Sequence, residues 1–175
     1  MFNQILCPTD GSDHAYKALD LAIDMTKKYD ARLLILHVPH GSEDIHAFRR
    51  FAEIEGLAPL VNTEVDRLRS MDYRVSVATD TAFQDSSIAP KLLMQIGHHI
   101  VERAKAHAER HGLENIDVRI EAGDPADRIL KCIDADKIDC VIMGSRGLND
   151  VKSLFLGSVS HKVANRAPCT CITVK

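Results

Sequence analysis

The run LLILHV, Leu33 to Val38, is continuous rather than alternating in apolar residues. An extended segment of this kind has no face to leave in water, so it suits a parallel strand buried on both sides, with helices above and below. The chain ahead of it agrees. Phe2, Ile5, Leu6 and Cys7 make a short apolar strand that Pro8 ends, and Thr9-Asp10-Gly11-Ser12 turns the chain into a helix. Ser12 is placed to cap that helix, and Asp13 to meet the positive end of its dipole. Ala15, Leu19, Ala22 and Ile23 then recur at helical spacing and form one apolar stripe. Strand, helix, strand is the opening of a doubly wound α/β fold.

The second half repeats the pattern and adds glycine. Ile138 to Met143, broken only by Asp139, reads as a buried strand, and it stops at Gly144-Ser145-Arg146-Gly147. A backbone free of Cβ atoms there either turns tightly or lets an anion approach closely. Nine residues later, Gly157-Ser158-Val159-Ser160 opens a helix that contains Lys162, Val163 and Ala164 and stops before Pro168. The first amides of a helix have no partners within it and carry the positive end of its dipole, so a Gly-Ser start is a phosphate seat. Two glycine-rich turns are therefore expected to hold one polyphosphate, with the hydroxyls of Ser158 and Ser160 as added donors. The competing reading is a plain strand-loop-helix connection. Arg146 either adds charge to the site or is a surface side chain.

Between these halves, Leu92, Leu93, Ile96, Ile100, Val101, Ala104 and Ala108 return to one helical face, and Gly112 ends that helix. Val118 and Ile120 form a strand leading to Ala122-Gly123-Asp124-Pro125, where Asp124 as N-cap and Pro125 at the first position start another helix. Ala126, Ile129, Leu130 and Ile133 give its buried face. Asp10 stands at the carboxyl end of the first strand, where open α/β sheets bind ligands. Its carboxylate either accepts hydrogen bonds from ribose hydroxyls or an adenine amine, or closes an Asx turn. Gly123 serves either close approach of a ligand or a tight turn.

The spacing Gly144, two residues, Gly147, nine residues, Gly157-Ser158 resembles the nucleotide-binding signature of the universal stress protein family. ILCPTDGS, Ile5 to Ser12, is similar to that family's first strand and turn, and APCTCITVK, Ala167 to Lys175, to its last strand. The resemblance implies an open, doubly wound, mostly parallel five-stranded sheet, Rossmann-like and adenine nucleotide alpha hydrolase-like, with helices on both faces. It implies ATP as ligand, with AMP or ADP able to occupy the same turns, and Mg2+ carried with the nucleotide. Site residues carried over are Pro8, Thr9 and Asp10; Val38, through backbone groups facing the adenine edge; Ala122 and Gly123; Met143 with Gly144 to Gly147; and Gly157, Ser158, Val159 and Ser160. The resemblance also implies a homodimer through the strand Thr170 to Val174, an apolar edge that otherwise invites aggregation.

No family pattern covers residues from about Gly41 to Gln95. A strand-to-helix connection this long contains structure of its own. Ala47, Phe48, Phe51 and Ile54 predict a helix stopped by Gly56; Val61, Val65 and Leu68 a second; Tyr73, Val75 and Val77 a half-exposed strand; and Asp80 to Ser87 a loop. The chain is read as one domain, residues 1–175, with an insertion at about 41–95.

A formal net charge of −3 supplies no general attraction for nucleic acid or an anionic membrane. No apolar run approaches the ~20 residues that span a bilayer, and no signal segment is seen, so the cytoplasm is expected. A GxxxxGK[ST] loop and a GxGxxG turn after the first strand are both absent, against a P-loop motor or a dinucleotide dehydrogenase. The SGGxDS-like loop of ATP pyrophosphatases is absent too. Cys169 and Cys171 share a strand face, where a metal or redox pair is the alternative to core thiols. With no second Cys or His pair at ligand spacing, no metal site is expected. His98 and His99 point to different sides of their helix, and His107 with His111 is read as a solvated helix face. A nucleotide-dependent regulator is thus expected, with at most slow hydrolysis. The alternatives are a nucleotide-independent scaffold of the same fold, recognising another protein through the insertion, and a slow ATPase or self-phosphorylating protein.

Overall fold

Every apolar run assigned to a strand outside the insertion lies in one sheet. The structure is a computed structural model that describes residues 1–39, 88–147 and 157–175, without the side chains of 88–93. The helices and strand expected between Ala47 and Val77, the loop at 80–87 and the middle of the glycine stretch lie outside the described residues. Strands β1 (Gln4–Pro8), β2 (Arg32–His37), β3 (Ile116–Ile120), β4 (Cys140–Gly144) and β5 (Thr170–Val174) alternate with helices α1 (Asp13–Tyr29), α2 (Ile88–Arg110), α3 (Pro125–Ala135) and α4 (Ser158–Arg166). All four described strand pairings are parallel, in the order β3-β2-β1-β4-β5.

The chain divides into two units, Met1–His40 with Gly97–Lys175, and Gly41–Ile96. The sheet and its core belong to the first. Period-two alternation along each strand sends successive side chains to opposite faces. Ile5, Cys7, Leu33, Ile35, Cys140 and Ile142 meet Ala18, Leu19, Ala22 and Ile23 of α1 and Ala104 and Ala108 of α2. Leu6, Leu34, Leu36, Val141 and Met143 meet Ala126, Ile129 and Ile133 of α3 and Val163 of α4. Both faces of the central strands are dry, as their unbroken apolar character demands, and each fully buried Leu or Ile adds ~1.5–3 kcal/mol.

The helix starts follow the sequence signals. Ser12 Oγ accepts from the Ala15 amide at 3.3 Å, and Asp124 Oδ1 accepts from the Asp127 amide at 2.9 Å with Pro125 in the first turn. Gly112, after the end of α2, takes the left-handed φ of 80° that a helix stop favours. Within α2, His107 is more engaged than a solvated face implies. Its Nε2 lies 2.6 Å from Asp20 Oδ1 on α1, and its ring meets Tyr16 edge-on at 5.7 Å. His111 Nδ1 lies 2.8 Å from the His107 carbonyl. Burial pushes the thiols of Cys7 and Cys132 up to about 12 and those of Cys140 and Cys169 up to about 11.

Strand order sets where a ligand fits. From β1 the chain builds outward through β2 and β3, then returns to the other side of β1 with β4 and β5. The connections leaving β1 and β4 lead to helices on opposite faces, and the carboxyl ends of two such strands are where open α/β sheets bind ligands.

Candidate functional site

Three segments meet at that rim. The first is the loop Pro8 to Ser12. The Thr9 amide donates to the Leu36 carbonyl at 2.8 Å, and the Thr9 carbonyl lies 2.8 Å from His37 Nδ1, so the loop is fastened to the end of β2 twice. Facing a carbonyl, Nδ1 must carry the proton. Burial holds the His37 imidazole below its ordinary pKa, against smaller upward pulls from the Thr9 bond and Asp10, so the ring is neutral near pH 7. His37 was not among the residues the sequence nominated; a histidine closing an otherwise apolar run was the available signal. Inside the loop, Thr9 Oγ1 accepts from the Gly11 amide at 3.2 Å, and Asp10 Oδ1 from the Ser12 amide at 3.0 Å. The Asx turn is thus real, and it occupies one carboxylate oxygen of Asp10.

The second segment is the turn after β4. A Cβ at Gly144 would stand 2.9 Å from the His14 carbonyl carbon, and one at Gly147 would stand 2.5 Å from Asp10 Oδ2. Both glycines stand at close approaches, Gly144 to the backbone at the start of α1 and Gly147 to the end of the Asp10 side chain. The loop of β1 and the turn of β4 are therefore in direct contact. Met143 is buried in the core beneath the turn and Arg146 is half-buried. Ser145 is 3% exposed, and its hydroxyl has no hydrogen-bond partner among the described residues.

The third is the start of α4. The Gly157 amide donates to the Ser145 carbonyl at 2.7 Å, and Ser160 Oγ donates to the same carbonyl at 2.9 Å, with the Gly157 carbonyl at 3.0 Å. The Ser145 amide in turn donates to the Val174 carbonyl at 2.7 Å. This differs from the expected arrangement, in which the amides of Ser145 and Gly157 and the Ser160 hydroxyl all faced a ligand. These three donors hold the turn, the helix and β5 together instead, because buried donors and acceptors must be paired. Left over are the first-turn amides of Ser158, Val159 and Ser160, which have no partners within a helix, and among the described residues no side chain caps α4. Ser158 is exposed and Val159 half-buried.

Val38 is half-buried just beyond β2. Ala122 and Gly123 share the rim but follow β3, two strands from β1. Gly123 has φ of 135°, and a Cβ there would meet Arg128 Nε at 2.7 Å. The next residue links this corner to the rest: Lys162 of α4 reaches Asp124 and Asp127 of α3 at 3.1 Å each. Those contacts raise the Lys162 pKa, with the Asp127 bond as the larger cause, and lower that of Asp127. Among the described residues no group of three or more His, Cys, Asp or Glu side chains could hold a metal ion, and no helix is long and apolar enough to cross a membrane.

Known proteins share this architecture. The universal stress protein YxiE of Bacillus subtilis is 30% identical over 175 residues, with all of both chains covered. A crystal structure of a universal stress protein in complex with cAMP superposes with a TM-score of 0.60 at 23% identity, over 99% of this chain and 97% of the other. A family protein from Arabidopsis thaliana with AMP bound gives a TM-score of 0.59 at 17% identity, over 99% and 91%. At those identities the two structural likenesses speak to the fold. The universal stress protein family model itself matches residues 1–175. With the glycine turns of β4 and α4 meeting the β1 loop at the rim of a five-stranded parallel sheet, the chain belongs to the universal stress protein family.

Proposed function

We propose that this protein binds an adenine nucleotide, ATP in the first instance, across the carboxyl ends of β1 and β4, and that it acts in the cytoplasm as a nucleotide-dependent regulator. One observation carries the reading. Asp10, the Gly144–Gly147 turn and the N-terminus of α4 converge on a single rim, where Ser145 keeps a buried hydroxyl without a partner among the described residues. Such a hydroxyl costs ~1–3 kcal/mol, a cost that a phosphate oxygen accepting from it removes. The amides of Ser158, Val159 and Ser160 supply the positive helix end for the same phosphates, with the backbone of Gly144, Arg146 and Gly147 around them. Asp10, Thr9 and Pro8 lie on the ribose side, Val38 offers backbone groups to the base, and Ala122 and Gly123 border the site.

Any Mg2+ would come with the nucleotide rather than be held by a protein cage, and would supply neutralisation of phosphate charge. The cAMP and AMP carried by the two structural neighbours support an adenine nucleotide of some kind. Pairing of β5 with a second copy, and recognition of another protein by the 41–95 insertion within a single 1–175 domain, complete the reading. Calorimetric titration of ATP, AMP and cAMP into wild type and Gly157→Val tests it. Loss of binding in the variant is expected; equal affinities would refute the phosphate seat. No binding and no thermal shift with any of the three would favour a nucleotide-independent scaffold.

A further inference from the structure

Among the described histidines only His37 is buried, at 7% exposed. It ends β2 on the same face as Leu33 and Ile35, which are core residues. An aliphatic side chain would fill this place without the cost of taking a polar ring out of water. What the imidazole adds is the Nδ1–H group, which donates to the Thr9 carbonyl at 2.8 Å.

The neighbouring helix makes room for the ring. Gly97 is buried well inside α2, where glycine is less favourable than alanine. A Cβ there would stand 3.0 Å from His37 Cδ2 and 3.4 Å from Ile120 Cγ2. Ile120 is the partner of His37 across the β2–β3 pairing, and the Glu121 amide donates to the His37 carbonyl at 3.0 Å. The imidazole is therefore seated between α2, the end of β3 and the β1 loop. Two bonds tie Thr9 to β2. The one from the Thr9 amide to the Leu36 carbonyl is backbone to backbone and survives any change of side chain; the other depends on residue 37 alone. Next to Thr9 stands Asp10, whose carboxylate approaches the Gly147 turn.

We propose that His37 is a positioning residue of the nucleotide site: seated against Gly97, it holds the Thr9 carbonyl and so sets the loop that presents Asp10 to the ligand. This rests on the reading of the rim as a nucleotide site, and His37 acts there through Thr9 without touching the nucleotide. A side chain that lacks a donor leaves the Thr9 carbonyl unpaired in a buried place, and a loop that relaxes to satisfy it must be ordered again when ligand binds. Asparagine carries its amide N–H on the branch that bears Nδ1 in histidine and restores the bond. Leucine fills the space and cannot.

Wild type, His37→Leu and His37→Asn are compared by amide hydrogen exchange without ligand and by calorimetric titration with ATP. In His37→Leu, exchange at the Gly11 and Ser12 amides, both bonded within the loop, is expected to quicken roughly tenfold, and ATP affinity to fall roughly five- to tenfold. Exchange at Leu34 and Val141 in the sheet should stay as in wild type, which separates a released loop from a damaged fold. His37→Asn is expected to stay within about twofold of wild type in both measurements. Nitrogen NMR of the wild-type imidazole, which needs no variant to fold, should find the proton on Nδ1. A proton on Nε2, unchanged exchange in His37→Leu, or equal losses in the leucine and asparagine variants would each overturn the role of His37 and leave the nucleotide reading standing. Absence of ATP binding by wild type would instead overturn the nucleotide reading, and the positioning role with it.

Discussion

Replacing Gly147 with alanine sets a methyl group 2.5 Å from Asp10 Oδ2, where ordinary contact begins at 3.4 Å. The carboxylate must retreat by about 0.9 Å, the difference between those two distances. Its other oxygen accepts from the Ser12 amide at 3.0 Å, and turning the carboxylate away from the methyl group weakens that bond and at the limit breaks it. Losing it costs ~0.5–1.5 kcal/mol. For a domain of this length that is a fall in Tm of ~1–6 °C. The φ of Gly147 lies outside the left-handed region, so no backbone strain is added. In an Asp10→Ala background the obstacle and the Asx bond are both gone, and the same substitution becomes neutral or slightly stabilising, because alanine restricts the unfolded chain. Urea unfolding of wild type, both single variants and the double variant gives the coupling directly, expected near ~1 kcal/mol. Equal costs of Gly147→Ala in both backgrounds would show that Asp10 and the β4 turn do not meet.

Three further outcomes follow from the same geometry. Gly144→Ala meets backbone atoms of His14 and Arg146 at 2.9 and 3.0 Å, which cannot swing aside, so urea unfolding should register ~1–3 kcal/mol; wild-type stability would contradict it. Ser160→Ala removes the donor that reaches the carbonyls of Ser145 and Gly157, which should cost ~1 kcal/mol and speed hydrogen exchange at the Gly157 amide; unchanged exchange would contradict it. His37 has its pKa lowered by burial, so below the unfolded value of ~6.5 the unfolded chain binds a proton that the native ring refuses. Stability from this residue is present above that pH and is lost as pH falls through it. His37→Asn, which keeps a donor for Thr9 without titrating, should flatten the Tm profile between pH 5 and 7; an unchanged slope would contradict it.

What the sequence disclosed was what local chemistry controls. The strands announced themselves through runs such as Leu33 to Leu36, which allow no wet face, and α1 and α3 through Ser12 and the Asp124-Pro125 pair, whose caps need only residues three positions away. The glycines at 144 and 147 were legible as places of close approach, but not what approaches them, since His14 and Asp10 are brought there by the β1–β4 pairing. For the same reason the donors at Ser145, Gly157 and Ser160 were assigned to a ligand: that Ser145 offers its carbonyl to the start of α4 depends on how a strand end and a helix start are juxtaposed across 12 residues or more. His37 escaped notice because a buried neutral imidazole differs from an apolar side chain only through the carbonyl it meets, and Thr9 reaches that position through the sheet register.

One rim of the sheet is proposed to receive the nucleotide. Titrating isotopically labelled protein with Mg-ATP and following backbone amide shifts tests it most directly. The largest changes are expected at Thr9 to Gly11, Gly144 to Gly147 and Ser158 to Ser160, with little change at Tyr29, Arg110 or Ala135 at the far ends of their helices. Changes concentrated at those far ends, or none at saturating nucleotide, would contradict it.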